Sequence, residues 1–296
     1  PHGRIPDGQR QTDGAAHVPP AVETHPYSWY VVSTRSLLFD PMRIGFVADI
    51  HEDIDSLRAG FTLLEQRNCD AVACLGDIVG FTLPFQRHIR TRNADACVHM
   101  VREGCATAIA GNHDLFAVRR TPAFTAGFPY REHWYDLAYE ERARVSRNRI
   151  WLYEDSELPN RLSQQSIEYL HALPEFALLA VDAAPLFLSH FHYPDVSGST
   201  IATPRKARHL HEHFRFIAEH RCTLSFSGHG HPEGCARGDR TGLRFFPFGS
   251  YPLGPGPLWF VAPCIANTTR ANGVMILDTI AGGIDVVPLG SPKTIV

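Results

Sequence analysis

Five short motifs follow one another along the chain: Asp49-Ile50-His51, Gly76-Asp77, Gly111-Asn112-His113-Asp114, the single His190, and Gly228-His229-Gly230-His231. Carboxylate, amide and imidazole groups are the side chains that hold first-row divalent cations. Each motif stands where an apolar, strand-like run gives way to a loop. Taken singly, none is decisive. In series they describe a site for two metal ions, an arrangement suited to breaking phosphate esters.

The residue types assign the work. Asp49 and His51 are two apart, so on a continuing strand they would share a face and reach one metal; Asp-x-His is nevertheless a frequent chance match. Asp77 follows Gly76, which permits a tight turn toward an ion, and a carboxylate at a strand end can bridge two cations. The bland reading of Gly-Asp is simply a turn. Asn112 offers a neutral amide oxygen, while His113 is placed to act as an acid or base; the alternative is an Asn-His turn capped by Asp114. His190 closes the run Pro185-Leu-Phe-Leu-Ser-His and is preferred over His192, being at the immediate strand end. His229 and His231, with glycine on either side of the first, can diverge to separate metals; an exposed histidine turn is the competing reading.

These motifs need a scaffold that brings five loops together. Apolar runs at 44–48, 71–75 and 106–110 read as strands buried on both faces. Ile54, Leu57, Phe61 and Leu64 recur at helical spacing between the first two, and Ile89, Cys97, Met100 and Val101 do so less cleanly between the next two. Such crossovers imply parallel strands, with loops gathered at the carboxyl ends where open α/β sheets place ligands. Residues 115–175, rich in aromatics and charges, read as a helical insertion beside the site, with a helix at 163–173 capped by Ser163. Strands at 186–188 and 223–226 flank a helix near 204–220, and the tail reads as a meander of strands at 243–248, 258–261, 274–277 and 284–287.

The 296 residues with 44% hydrophobic content suffice for a large core, and a formal charge of −3 gives no bulk attraction to nucleic acid or anionic membrane. A polynucleotide substrate is thereby disfavoured, a local basic patch aside. The seven cysteines are odd in number and contain no Cys-x-x-Cys pair, which indicates buried thiols in a reducing compartment. No run approaches the roughly 20 apolar residues a membrane helix requires. Residues 27–39 come nearest to a signal core, but Ser28, Ser33, Thr34, Arg35 and Ser36 interrupt them. The expected location is cytoplasmic. Residues 1–41 are Pro-, Gly- and His-rich without periodicity and read as a disordered or loosely packed extension, with Met42 as the expected start of the domain and a candidate translation start. The alternative is that Tyr27, Trp29, Tyr30 and Leu37-Leu-Phe39 pack back over residues 42–296.

The ordered set resembles the calcineurin-like metallophosphoesterase superfamily, whose pattern is Asp-x-His, Gly-Asp, Gly-Asn-His-Asp/Glu, His and Gly-His-x-His. The resemblance covers roughly 42–290. It implies an αββα sandwich of two mixed sheets flanked by helices. It implies that Asp49, His51, Asp77 and His231 bind one divalent metal and that Asp77, Asn112, His190 and His229 bind the other, with His113 as proton donor to the leaving group. A hydroxide bridging the two ions would attack phosphorus, and the mixed ligands suit Mn, Fe, Zn or Ni more than Ca. Three departures stand out. Many members carry a second acid in Gly-Asp-x-x-Asp that orients the catalytic histidine, but Gly80 stands there, leaving His113 without its usual partner. The arginine that follows in protein phosphatases is replaced by Gly80-Phe81-Thr82, and the Asn-Pro-Gly-Ser turn of small bacterial phosphodiesterases, the most similar branch, gives way to Ala262-Pro263-Cys264-Ile265. The expected substrate is a small or nucleotide-like phosphodiester; a phosphomonoester or nucleotide anhydride on the same site, or a non-catalytic metal-binding scaffold, are the alternatives.

Overall fold

The computed structural model describes residues 42–83, 85–181 and 184–291; the extension at 1–41 lies outside them. The chain runs β1 (Arg43–Val47), α1 (Ile54–Gln66), β2 (Ala71–Cys74), β3 (Phe81–Thr82), α2 (Ala94–Gly104), β4 (Thr107–Ala108) and α3 (Asn112–Ala117). It continues through α4 (Tyr139–Ser146), β5 (Glu157–Leu158), α5 (Gln164–Ala172), β6 (Phe176–Leu179), β7 (Leu186–Ser189), α6 (His211–Glu219) and β8 (Leu224–Ser227). It closes with β9 (Cys235–Asp239), β10 (Gly242–Phe246), β11 (Gly249–Pro252), β12 (Leu258–Val261), β13 (Gly273–Asp278) and β14 (Gly283–Pro288).

The strands form two six-stranded mixed sheets, ordered β11-β14-β13-β1-β2-β4 and β10-β9-β12-β8-β7-β6, and a two-stranded ribbon of β3 with β5. β1, β2 and β4 are parallel, as are β7, β8 and β12, so in each sheet one set of carboxyl ends opens on the same side. Strand alternation sorts the core into layers. Ile44 and Phe46 of β1, Leu186 and Leu188 of β7, Leu258 and Phe260 of β12, and Met275 and Leu277 of β13 meet between the sheets. The intervening Val47, Val274 and Ile276 face α1, α2 and α5 with Leu57, Leu64, Val98, Val101 and Leu170. On the far side, Phe187, Trp259 and Val261 pack against Phe214 and Ile217 of α6. The result is the expected αββα sandwich.

Helix starts follow local chemistry. The Asp53 carboxylate accepts from the Ser56 amide at 3.2 Å and caps α1. Asn93 caps α2 through the Ala96 amide at 3.1 Å, and Ser163 caps α5 as its sequence position predicts. Ile89, read as part of the helical repeat, instead lies exposed in the turn before Asn93, because the cap sets the start four residues later. The helix expected near 204–220 is a 3-10 turn at Ala207–Leu210 leading into α6. The inserted stretch is less helical than its reading: α4, a 3-10 turn at Trp134–Asp136 and β5 are joined by irregular chain, with Phe128, Trp134 and Ile150 forming a small core of their own.

Candidate active site

The five motif loops leave the carboxyl ends of β1, β2, β4, β7 and β8 and meet across the gap between the two sheets. β1 stops at Val47, so Asp49 and His51 do not share a face by strand pleat. They converge because the loop turns into the left-handed region, at φ 54° for Asp49 and 45° for His51; Asp77, His229 and His231 share that conformation at 53°, 64° and 42°. Non-glycine residues held there cost on the order of 1 kcal/mol each, and such strain gathers at functional sites. Backbone bonds supply the restraint: the Asp49 amide donates to Gly76 O at 3.1 Å, and the Ile50 and His51 amides donate to Asp77 O at 2.8 and 3.0 Å. Gly76, at φ 92°, sits where a Cβ would lie 2.7 Å from the Gly111 amide nitrogen and 2.8 Å from His190 Nδ1. Any other residue would push the second motif away from the third and fourth.

The side chains fall into groups. Ligand atoms of Asp49, His51 and His231 lie within 4.8 Å of one another, as do those of Asp77, His190 and His229, and those of His51, Asp77 and His113. His229 and His231 thus join different groups. Asn112 Oδ1 lies 3.0 Å from His229 Nδ1, while its amide nitrogen donates to the Tyr153 hydroxyl at 2.5 Å. His51 and His190 spend Nδ1 on the carbonyls of Gly80 and Leu75, each at 2.7 Å, and so present Nε2 inward. His192, the rival to His190, turns away and packs on Trp259 and His213. The remaining motif acid, Asp114, is structural: its carboxylate accepts from the amides of Ile78, Val79 and Gly111 at 2.9–3.1 Å and ties the second loop to the third.

The donor set fits divalent cations. His190 Nε2 is buried and in no well-aligned hydrogen bond, though it lies 3.0 Å from Asp77 Oδ2. His51 Nε2 lies 3.1 Å from His231 Nε2, a separation at which two ring nitrogens need a proton or a cation between or beside them. Burial works to raise the Asp77 carboxyl, but the surrounding His190, His113 and His51 hold it well below the usual carboxylate range. Burial lowers His51 to about 3, helped by His113 and His231, and lowers His229 to about 3, helped by His190. Their lone pairs are therefore free at neutral pH. Against burial, Asp77 and Asp49 carry His190 up to about 9.

Two residues that sequence reading did not single out complete the arrangement. Tyr153 orients Asn112, and Glu157 Oε2 lies 2.7 Å from His113 Nδ1. Both come from the inserted stretch, where no motif or spacing marks them. The usable signal was the missing acid at Gly80, which says that a partner must arrive from elsewhere. Cys264, at the position of the altered Asn-Pro-Gly-Ser turn, donates to Asp49 O at 3.1 Å and holds the first loop from behind.

A cavity of about 850 Å³ opens over His51, Asp77, Asn112, His113, His229 and His231. Phe85, Trp151 and Phe245 line it while remaining 63%, 46% and 71% exposed, and Arg205 and Arg270 reach it as well. Arg270 donates to His231 O at 2.7 Å.

Comparison with known proteins agrees with this fold. The structure is similar to a metallophosphoesterase from Sphaerobacter thermophilus, with a TM-score of 0.57 and 18% identity over 86% of this chain and 90% of that one. It is also similar to the hypothetical protein PH1004 from Pyrococcus horikoshii OT3, with a TM-score of 0.52 and 13% identity over 85% and 89% of the two chains. In sequence, 71 residues are 31% identical to the uncharacterized protein MJ0912 of Methanocaldococcus jannaschii, a match spanning 24% of this chain and about a quarter (26%) of that relative. Residues 42–279 match the calcineurin-like phosphoesterase superfamily domain, and the chain belongs to that superfamily.

Proposed function

We propose that the chain hydrolyses a phosphodiester bond in a small or nucleotide-like substrate, using two divalent cations. The meeting of the Asp49, His51, His231 group, through His51 and His231, with the Asp77, His190, His229 group, through Asp77 and His229, at one cavity carries this reading. Asp49, His51, Asp77 and His231 would hold one cation and Asp77, Asn112, His190 and His229 the other. When bound, the cations neutralise phosphoryl oxygens and make water nucleophilic near neutral pH. The chain does the rest. The Asp77 carboxylate lies between the groups, with one oxygen 3.0 Å from His190 Nε2 and the other accepting the His113 amide at 2.9 Å. His113 presents Nε2 toward the cavity, Nδ1 being engaged, and gives its proton to the departing alkoxide oxygen as the P–O bond breaks. Mn, Fe, Zn or Ni suits this donor set. The seven thiols, none of them paired, support a reducing and hence cytoplasmic setting.

The diester preference rests on the aromatic wall. Phe85, Trp151 and Phe245, of which Trp151 comes from the inserted stretch, offer a surface for the non-reacting ester group. A monoester dianion needs more cationic contacts, and Arg205 and Arg270 at the cavity support that second reading. Comparing kcat/KM for bis-nitrophenyl and mono-nitrophenyl phosphate on one metal-loaded preparation decides between them. A diester advantage is expected; a monoester advantage of about tenfold, equivalent to about 1.4 kcal/mol, would overturn it.

A further inference from the structure

Many members of the superfamily carry an orienting acid where Gly80 stands, yet position 80 has room for no side chain. Gly80 has φ 93°, and a Cβ there would lie 2.5 Å from both Cβ and Nδ1 of His113. The His113 ring occupies the space directly over the Gly80 backbone. What meets Nδ1 instead is the Glu157 carboxylate, with a side chain only 2% exposed.

Its placement is built, not incidental. β5 pairs with β3, Thr82 opposite Glu157 and Phe81 opposite Leu158, so the ribbon begins one residue beyond Gly80. The Glu157 amide donates to Tyr153 O at 2.8 Å, and the Leu83 amide donates to Ser156 O at 3.1 Å. Arg92 clamps the next turn, donating to Leu158 O at 3.1 Å and to Pro159 O at 2.6 Å. The same guanidinium pairs with buried Glu52, whose carboxylate accepts the Gly80 amide at 3.1 Å. One arginine therefore registers the inserted strand against the motif loop.

We propose that Glu157 is the positioning residue for His113: an acid supplied by the inserted strand replaces the one the motif loop cannot carry. This rests on the reading of His113 as proton donor. A carboxylate at Nδ1 fixes the proton on that nitrogen and leaves Nε2 as the atom that delivers to the leaving oxygen. After delivery the ring is the neutral Nδ1–H tautomer, and solvent restores the Nε2 proton.

The test combines kinetics with a spectroscopic readout. kcat/KM is measured on aryl phosphodiesters whose leaving groups run from nitrophenol to phenol, for wild type, His113→Ala, Glu157→Ala, Glu157→Gln and the double alanine variant. Metal content and melting temperature are matched throughout. His113→Ala should steepen the dependence on leaving-group pKa, losing roughly 10–100-fold more on phenolate than on nitrophenolate, at the lower end of what positioned acids supply. Glu157→Ala should steepen it in the same direction, and the double variant should be no steeper than His113→Ala. In nitrogen-15 spectra, a slowly exchanging Nδ1 proton signal that vanishes in His113→Ala should also be lost or shifted in Glu157→Ala. If His113→Ala steepens the dependence while Glu157→Ala does not, the positioning role is overturned and the donor role stands. If His113→Ala leaves the slope unchanged, the donor reading falls and the proposal with it. Should Glu157→Ala fail to fold, Glu157→Gln, of the same shape without the charge, carries the same comparison.

Discussion

Asp77 is the residue proposed to serve both metal-binding groups. It sits at φ 53°, fully enclosed, and its carboxylate faces His190 on one side while accepting the His113 amide on the other. Asp77→Asn keeps the shape and removes the charge. Activity should be lost, and elemental analysis should find both metals depleted; two tightly retained ions would show that Asp77 does not bridge. The protons on the ligands set a second expectation. Asp77 and Asp49, against burial, raise His190 to about 9, so in the metal-free protein it is protonated at neutral pH and a cation must displace that proton. Affinity should therefore strengthen as pH rises from about 6 to about 9, with proton release detected by calorimetry in buffers of different ionisation enthalpy. At this scale the residue types and order of the motifs were legible, because ligand chemistry is written in residue identity. The conformations were not: nothing in Asp49-Ile50-His51 announces that the loop turns left-handed.

Elements explain what single residues cannot, since the inserted stretch contributes Tyr153 and Glu157 only if it is anchored at its far end. Asp95, in the first turn of α2, is that anchor: Oδ1 accepts the Ser163 amide at 2.8 Å, the Ser163 hydroxyl at 2.7 Å and the Ser166 hydroxyl at 2.6 Å at the start of α5. These bonds, the Ser166 hydroxyl first, lower the Asp95 carboxyl. A carboxyl lowered in the folded state stabilises it fully above the unfolded value near 3.9, and the contribution disappears as pH falls through the lowered one. Asp95→Ala should cost about 1 kcal/mol at pH 7, a figure reduced for solvent screening at this partly exposed group. In denaturant titrations the difference between wild type and variant should shrink as pH falls below the unfolded value near 3.9; a difference that stays constant over the whole acid range would remove Asp95 from this role. Strands with apolar runs on both faces were readable, and so was the Ser163 cap. β9 and β11 were not, because Arg237 and Gly238 break the apolar run of the first and Gly-Ser-Tyr-Pro, mostly exposed at a sheet edge, has no pattern to read.

On the scale of the whole molecule, the proposed metal ligands are divided between the two halves of the sandwich. Asp49, His51, Asp77 and Asn112 follow strands of one sheet, whereas His190, His229 and His231 follow strands of the other. Without cations the two sets are joined mainly by bonds such as the His229 amide to the Asp49 carboxylate, with both oxygens at 3.0 Å. A cation binding both sets at once links the sheets at their open end, and it binds the folded chain far better than the unfolded one. By mass action, each site held at a free cation concentration of about a hundred times its Kd adds about 2.7 kcal/mol. For a domain of this size that corresponds to about 5–10 °C in melting temperature per site. Scanning calorimetry should accordingly find a fall of that order on chelation and its recovery on adding Mn or Zn, with Asp77→Asn recovering little. The aromatic stack between the sheets, Phe46 on Phe226 at 4.4 Å, does not depend on the ions, so the chelated protein should still melt cooperatively. A melting temperature indifferent to chelation, in protein proven by elemental analysis to have lost its metal, would mean that the cations do not link the two sheets.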